Sequence, residues 1–151
     1  MAADAWVVHD KIKEYIGNKV VDFDNDSFII ILCLSTSNIA TTSVDAYATV
    51  TNEVATANGY TQGTKSLASP TWTESAGTVT FDAADVVWTA SGGSITARFA
   101  AIYDDTVASP VADPVVCHSL LDNSPADVTA TDGNTLTISM NASGIFTLAN
   151  A

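Results

Sequence analysis

From Gly59 to Leu148 the sequence is a succession of short strand-like runs separated by turn residues, and this spacing constrains the fold more than any other feature. The clearest run is residues 95–103, where Ile95, Ala97, Phe99, Ala101 and Tyr103 alternate with Thr96 and Arg98, as a two-residue side-chain period requires. Residues 64–68, 71–74, 78–81 and 86–89 read as further strands, with Ala76-Gly77 as a tight hairpin turn between the second and third. Residues 115–121 and 145–148 follow, and Leu136, Ile138 and Met140 alternate with Thr135, Thr137 and Ser139. Gly92-Gly93, a Pro-bearing loop at 107–114 and a turn at 122–127 punctuate these runs.

The first half adds less regular signals. Residues 28–34 are continuously apolar, the pattern of a strand covered on both faces. Residues 19–23 read as a short strand and Asp24-Asn25-Asp26 as a turn. A polar loop spans 35–42, and residues 44–54 suit either a helical turn or extension. One helix is predicted near the N-terminus: Asp4 is its cap, Trp6, Val8, Ile12, Tyr15 and Ile16 form its stripe, and Gly17-Asn18 end it. His9, Asp10, Lys13 and Glu14 fall on the side expected to face water. So short a helix needs a surface to dock on.

About eight to ten short strands divided by turn chemistry are the signature of an all-β protein, and a jelly-roll-like β-sandwich is the expected fold. The 151 residues fit one domain, since a core of this size buries roughly 68–70% of the unfolded surface. The expected organisation is an N-terminal helix over 1–18 packed on a single sandwich over 19–151.

Charge limits the partners. Seventeen acidic residues against five basic ones give a net charge of −12, and three of the four lysines, Lys11, Lys13 and Lys19, lie in the first nineteen residues. With only Lys65 and Arg98 beyond them, no basic stripe can be assembled, so nucleic acid and anionic membranes are not expected as partners. The start lacks the cationic and apolar pattern of a secretion signal, and the longest apolar run is far shorter than a membrane span. Synthesis in a cytoplasm is the expectation.

Chemistry is sparse. Asp22, Asp24 and Asp26 suggest a calcium loop, yet the sixth and twelfth positions are Ser27 and Cys33 where an EF-hand needs Gly and Glu, so an Asx turn is expected instead. Asp104-Asp105 and the Asp82/Asp85 pair read as solvated turns. His9 and His118 have no recognisable nucleophile motif around them, and His118 and its neighbour Cys117 should point to opposite faces, one buried and one exposed. Cys33 and Cys117 read as buried free thiols, Arg98 as paired with a carboxylate, and Trp6, Trp72 and Trp88 as core or rim, with sugar stacking the competing role. No enzyme activity, cofactor or metal is expected.

The run of residues 81–106, Phe-Asp-Ala-Ala-Asp-Val-Val-Trp-Thr-Ala-Ser-Gly-Gly-Ser-Ile-Thr-Ala-Arg-Phe followed by Ala-Ala-Ile-Tyr-Asp-Asp-Thr, resembles small β-rich structural proteins of tailed bacteriophages. Residues 71–81 and the tail 141–148 share the resemblance, which covers most of the chain after about residue 28. It implies a virion protein. Capsid cement, or decoration, proteins fit the size and composition best: jelly rolls on the outer face of the head, often dimers or trimers, that bridge major capsid protein subunits. A tail-associated or host-receptor and carbohydrate-binding module is the alternative. The resemblance carries over no residue-level site. From expected exposure alone, the candidate contacts are Lys11, Lys13 and Lys19 on the helical segment, Ser37, Asn38 and Thr41 in the polar loop, and Val107 and Pro110 in the Pro-bearing loop, with residues 24–27 as a further segment.

Overall fold

Phe28–Cys33 forms strand β2, and all six of its residues are buried. The reason is visible in a computed structural model, which describes residues 3–124 and 126–149. Phe28, Ile30 and Leu32 enter the main hydrophobic cluster, while Ile29, Ile31 and Cys33 enter a second cluster on the opposite face. A strand sandwiched this way has no polar positions to fill, so its sequence does not alternate.

β2 belongs to a five-stranded antiparallel sheet of order β1-β9-β8-β2-β3, made of β1 (Val7–Val8), β9 (Val115–Leu120), β8 (Phe99–Asp104), β2 and β3 (Lys65–Ser66). Opposite its main face lie three smaller antiparallel units. One is β12 (Phe146–Ala149), β5 (Thr78–Asp82) and β4 (Thr71–Ser75); the others pair β11 (Thr135–Ile138) with β6 (Val86–Thr89) and β10 (Val128–Ala130) with β7 (Ile95–Ala97). Phe81, Val86, Trp88, Ile95, Leu136, Ile138 and Phe146 from these units meet Phe28, Ile30, Leu32 and Ile102 in the main cluster. The architecture is therefore all-β and sandwich-like, with twelve strands among the described residues. β1 and β10 are strands that periodicity did not reveal.

Turn chemistry behaves as the sequence predicts. Ala76 and Gly77 both have positive φ, 52° and 83°, the pairing that matches strand twist in a two-residue hairpin. Gly59, at φ 89°, lies so close to the β6 end that an added Cβ would sit 2.2 Å from the Thr89 carbonyl oxygen.

Several expectations are corrected. The N-terminal helix starts at Asp10, not after Asp4: α1 is Asp10–Gly17, and residues 7–8 are instead strand β1. Val7 and Val8 pair with His118 and Cys117, and Asp4 N–H donates to the Leu120 carbonyl at 2.9 Å. An open edge on β9 offers these residues a ladder, and β-branched side chains suit it better than an isolated helical turn. α1 docks through buried Ile12 and Tyr15 and ends as expected, with Asn18 N–H on the Glu14 carbonyl, but the left-handed residue is Lys19 (φ 55°) rather than Gly17. Residues 19–23 form no strand; Val21 and Phe23 anchor an irregular segment in the core. Within 44–54 the backbone makes one 3-10 turn, Tyr47–Thr49.

The long alternating run also divides. Ile95 and Ala97 face the main cluster, but beyond Arg98 it is Ala100 and Ile102 that do so, with Phe99, Ala101 and Tyr103 on the second cluster. Arg98 is the bend. Its N–H donates to the Cys33 carbonyl at 2.8 Å and its own carbonyl accepts from Leu121 N–H at 3.0 Å, so the chain leaves partner β10 and joins β2 and β9. Its guanidinium donates to the backbone carbonyls of Ser124 and Ala126, not to a carboxylate. Among the described residues no helix is long and apolar enough to cross a membrane.

Candidate contact surface and buried polar centres

Hydrogen bonds link four separate segments, α1, the 35–46 loop, the 107–114 loop and the 24–27 turn, in a chain of contacts at the border of the five-stranded sheet. Asp10 N–H donates to the Thr42 carbonyl, and Thr42 Oγ1 donates back to Asp10 Oδ2 at 3.2 Å, tying α1 to the polar loop. Beyond that loop, Ala46 bridges Pro114, Tyr47 N–H donates to Asp113 O and Val115 N–H to Asp45 O. The 107–114 loop closes on itself through Asp113 N–H and Val107 O. It is joined to the Asp-rich turn by Ser27 N–H on Thr106 Oγ1 (2.8 Å) and Asp105 N–H on Ser27 O (2.8 Å).

Of the candidate contacts, Lys11, Lys13, Lys19, Thr41 and Pro110 are exposed. Lys11 pairs with Glu14 at 2.9 Å on α1, an exposed i,i+3 contact that contributes little to stability. Ser37 and Asn38 are half-buried and committed locally: Ser37 Oγ accepts Ile39 N–H to cap the 3-10 turn Asn38–Ala40, and Asn38 clips Thr49 O and Thr51 N–H. Val107 is corrected: at 8% exposure it belongs to the main cluster and cannot serve as a surface contact. Its loop places an apolar anchor inward so that Pro110 can stand outward.

Both histidines are buried and they face each other, whereas His9 was expected to face water and only one of His118 and Cys117 to be buried. His9 Nδ1 lies 2.6 Å from the Val44 carbonyl, and His9 Nε2 lies 2.9 Å from His118 Nδ1. A carbonyl can only accept, so neutral His9 carries its proton on Nδ1 and its Nε2 accepts from the Nδ1–H of His118. Protonating both rings would set N–H against N–H. Burial lowers both pKa values, His118 to about 4 with His9 beside it adding to the effect. Because the folded state disfavours the charged imidazoles, their contribution is complete above the ordinary value near 6.5 and is lost as pH falls from there toward 4. In melts across that window, the wild-type Tm should fall more steeply than that of His118→Phe, which retains only His9 to take up a proton; parallel curves would show that the pair does not titrate as placed.

A second polar centre is the half-buried Glu53. Its carboxylate accepts from Tyr47 Oη (2.7 Å), Tyr60 Oη (2.6 Å) and Gly63 N–H (2.9 Å), while Tyr60 Oη itself accepts Leu32 N–H (2.9 Å). Burial and the adjoining carboxylate push both phenols well above their usual range. Tyr47 stacks on Tyr103 at 4.3 Å between ring centres. The residues involved are Asx- and Gly-rich loop neighbours with no motif spacing, so nothing in the sequence marks them.

Asp104 is the third centre and a correction: it ends β8 fully buried, whereas Asp105 is exposed. Burial drives its carboxyl up to about 7, opposed by the Thr106 N–H and reinforced by Asp26. The Asp22–Asp26 stretch is the expected Asx turn, with Asp22 accepting from Asp24 N–H and Asn25 Nδ2. Cys33 and Cys117 are buried free thiols, as expected; burial raises Cys33 to about 12. Trp88 is buried with Lys65 over its ring, and half-buried Trp72 stacks on Phe23. Trp6 lines an open groove of about 940 Å³ with Leu121, Leu136, Ile138 and Phe146. No family model, curated protein or solved structure matches this chain.

Proposed function

We propose that this chain is a non-enzymatic structural protein of a tailed-phage virion that binds the outer capsid surface and bridges major capsid protein subunits, stabilising the head. The observation that carries the reading is the hydrogen-bonded strip of α1, the 35–46 loop, the 107–114 loop and the 24–27 turn. It presents Lys11, Lys13, Thr41 and Pro110 outward on segments whose backbones are held by the rigid sheet beneath. Preorganised loops of this kind lose little entropy on docking. The residues that resemble phage structural proteins form the framework instead: the β4–β5 hairpin, the stretch through β6, β7 and β8, and the entry to β12. Asp10, Asp45, Asp105 and Asp113 along the strip suit a basic or mixed partner surface, and the net charge of −12 keeps free subunits apart in solution until they dock. A binder selective for the assembled shell stabilises it by mass action, and dimers or trimers would multiply each contact.

The test is cosedimentation of the purified chain with heads that lack it. Binding to assembled heads but not to free major capsid protein, with a raised temperature of head disruption, is the expected result. Thr41→Arg together with Pro110→Arg, both on exposed positions, should weaken binding without changing the Tm of the free chain. Binding to tails or to host cells in place of heads would overturn the cement reading in favour of a host-recognition module.

A further inference from the structure

We propose that the outward face of the small-sheet layer, an almost uncharged array of threonines, is the surface through which two copies of this chain meet. The inference is independent of the virion reading, since none of the segments in the hydrogen-bonded strip belongs to these strands. Side chains alternate along β4, β5, β6, β7, β10, β11 and β12, and Trp72, Phe81, Trp88, Ile95, Leu136 and Phe146 point into the main cluster. Fourteen strand positions are thereby turned away from it, and ten of them are threonine; the exceptions are Ser75, Asp82, Val87 and Ala149. Register sets the threonines side by side. Thr73, Thr80 and Thr147 make one row across β4-β5-β12, Thr89 lies opposite Thr135, and Thr96 lies opposite Thr129.

Strand propensity accounts for threonine but not for the missing charge. Of the seventeen acids in the chain only Glu74 and Asp82 fall in these seven strands, and no lysine or arginine does. Both acids are turned to local amides: Glu74 Oε1 accepts Gly77 N–H at 2.7 Å and Asp82 Oδ1 accepts Ala83 N–H at 2.9 Å. A soluble surface is ordinarily about 25–35% charged residues. Here Asp82 is the one charged residue among the fourteen outward positions, on a chain of net charge −12. The hydroxyls are also uncommitted. Thr96 and Thr129 bond each other through Oγ1 at 2.9 Å, and the other eight threonine hydroxyls have no hydrogen-bond partner among the described residues.

Charge and chemistry select the occupant. A second copy also carries −12, so two chains repel through their acidic surfaces and close only where charge is nearly absent. A two-fold contact sets one patch against itself, so the patch must complement its own image. Threonine meets that condition, because its hydroxyl both donates and accepts and its methyl packs beside it. Carboxylates only accept, and an acidic face fails the same condition. A basic partner finds its carboxylates elsewhere on the chain, and an apolar partner finds Val87, 41% exposed, as the one large hydrophobic side chain here. At a strand spacing of about 4.8 Å and a two-residue repeat of about 6.7 Å, fourteen positions cover roughly 450 Å². Stable complexes bury about 800 Å² per partner, so this face supports a weak, reversible dimer with a dissociation constant on the order of 10⁻⁴ M.

Sedimentation equilibrium of the full chain over about 0.01–1 mM tests the contact. The expected result is a monomer–dimer equilibrium that tightens as NaCl rises from about 20 to 500 mM, because salt screens the mutual repulsion. Thr73→Glu combined with Thr135→Glu, both at exposed positions, should weaken self-association at least about tenfold, and Thr73→Lys combined with Thr135→Lys should weaken it as well. Mixed one to one at low salt, the two variants should pair again, since opposite charges then meet across the same surface. Melts of the dilute variants should stay close to wild type, because both side chains face water. A wild-type chain that is monomeric at about 1 mM in high salt, or Glu variants that dimerise as wild type, overturns the proposal. So does a mixture that associates no more tightly than either variant alone.

Discussion

Phe81→Ala is expected to remove about 3–5 kcal/mol of stability, a large share of what a domain of this size possesses. Phe81 is fully buried at the centre of an aromatic cluster, with ring centres 4.7 Å from Phe23, 5.1 Å from Phe28 and 5.4 Å from Phe146. Strand pairing places it opposite both Trp72 and Phe146 in the β4-β5-β12 unit. The ring thus joins the small sheet to the large one, and truncation leaves a cavity whose walls are held by two separate ladders. Neighbours so fixed cannot collapse into the space. Urea unfolding followed by tryptophan fluorescence should show the midpoint falling with little change in slope, and Phe81→Leu should recover much of the loss. A cost below about 1 kcal/mol would mean that the two layers repack independently.

Glu53→Ala should cost about 2–3 kcal/mol, the next largest effect expected, because it strands donors that the fold has already withdrawn from water. Tyr60 is 2% exposed, so its hydroxyl hydrogen has no alternative acceptor once the carboxylate is gone, and the Leu32 N–H bond to the same oxygen weakens with it. Tyr47 lines a shallow crevice and can recover water, which keeps the figure from rising further. Glu53→Gln retains an acceptor and should lose less than half as much. Removing carboxylate and phenol together, in Glu53→Ala with Tyr60→Phe, should cost clearly less than the sum of the two single changes; simple additivity would show that the groups are not coupled.

The buried centres explain why so much of the architecture was legible and so little of the chemistry. Alternation, continuous apolar runs and turn residues report on neighbours a few positions away. The β4–β5 hairpin, β6, β9, β11 and the two-sided burial of β2 all follow from them. Val7 and Val8 were misplaced because the helical stripe they extend is a local signal, while the β9 edge that claims them lies about a hundred residues further on. Arg98 likewise gives no local sign that the strand changes partners. Acid clusters at 22–26 and 104–105 look alike in sequence, and only the long-range packing of the turn against β8 buries one member, Asp104, while leaving Asp24 and Asp105 in water.

The candidate contacts divide on the same line. Exposure of Lys11, Lys13, Lys19, Thr41 and Pro110 follows from polarity or turn geometry, but Val107, at the start of the Pro-bearing loop, is drawn into the core by the closure of that loop. By itself the sequence determined an acidic, all-β chain with its main strands and turns, because those are set by side-chain period and by which residues tolerate left-handed backbone. The tertiary structure alone decided that His9 meets His118, that Glu53 gathers two tyrosines, that Asp104 is buried beside exposed Asp105 and that hydrogen bonds link α1 to loops distant from it in sequence. Such pairings rest on the free energy of burying groups drawn from distant parts of the chain, which no local pattern encodes.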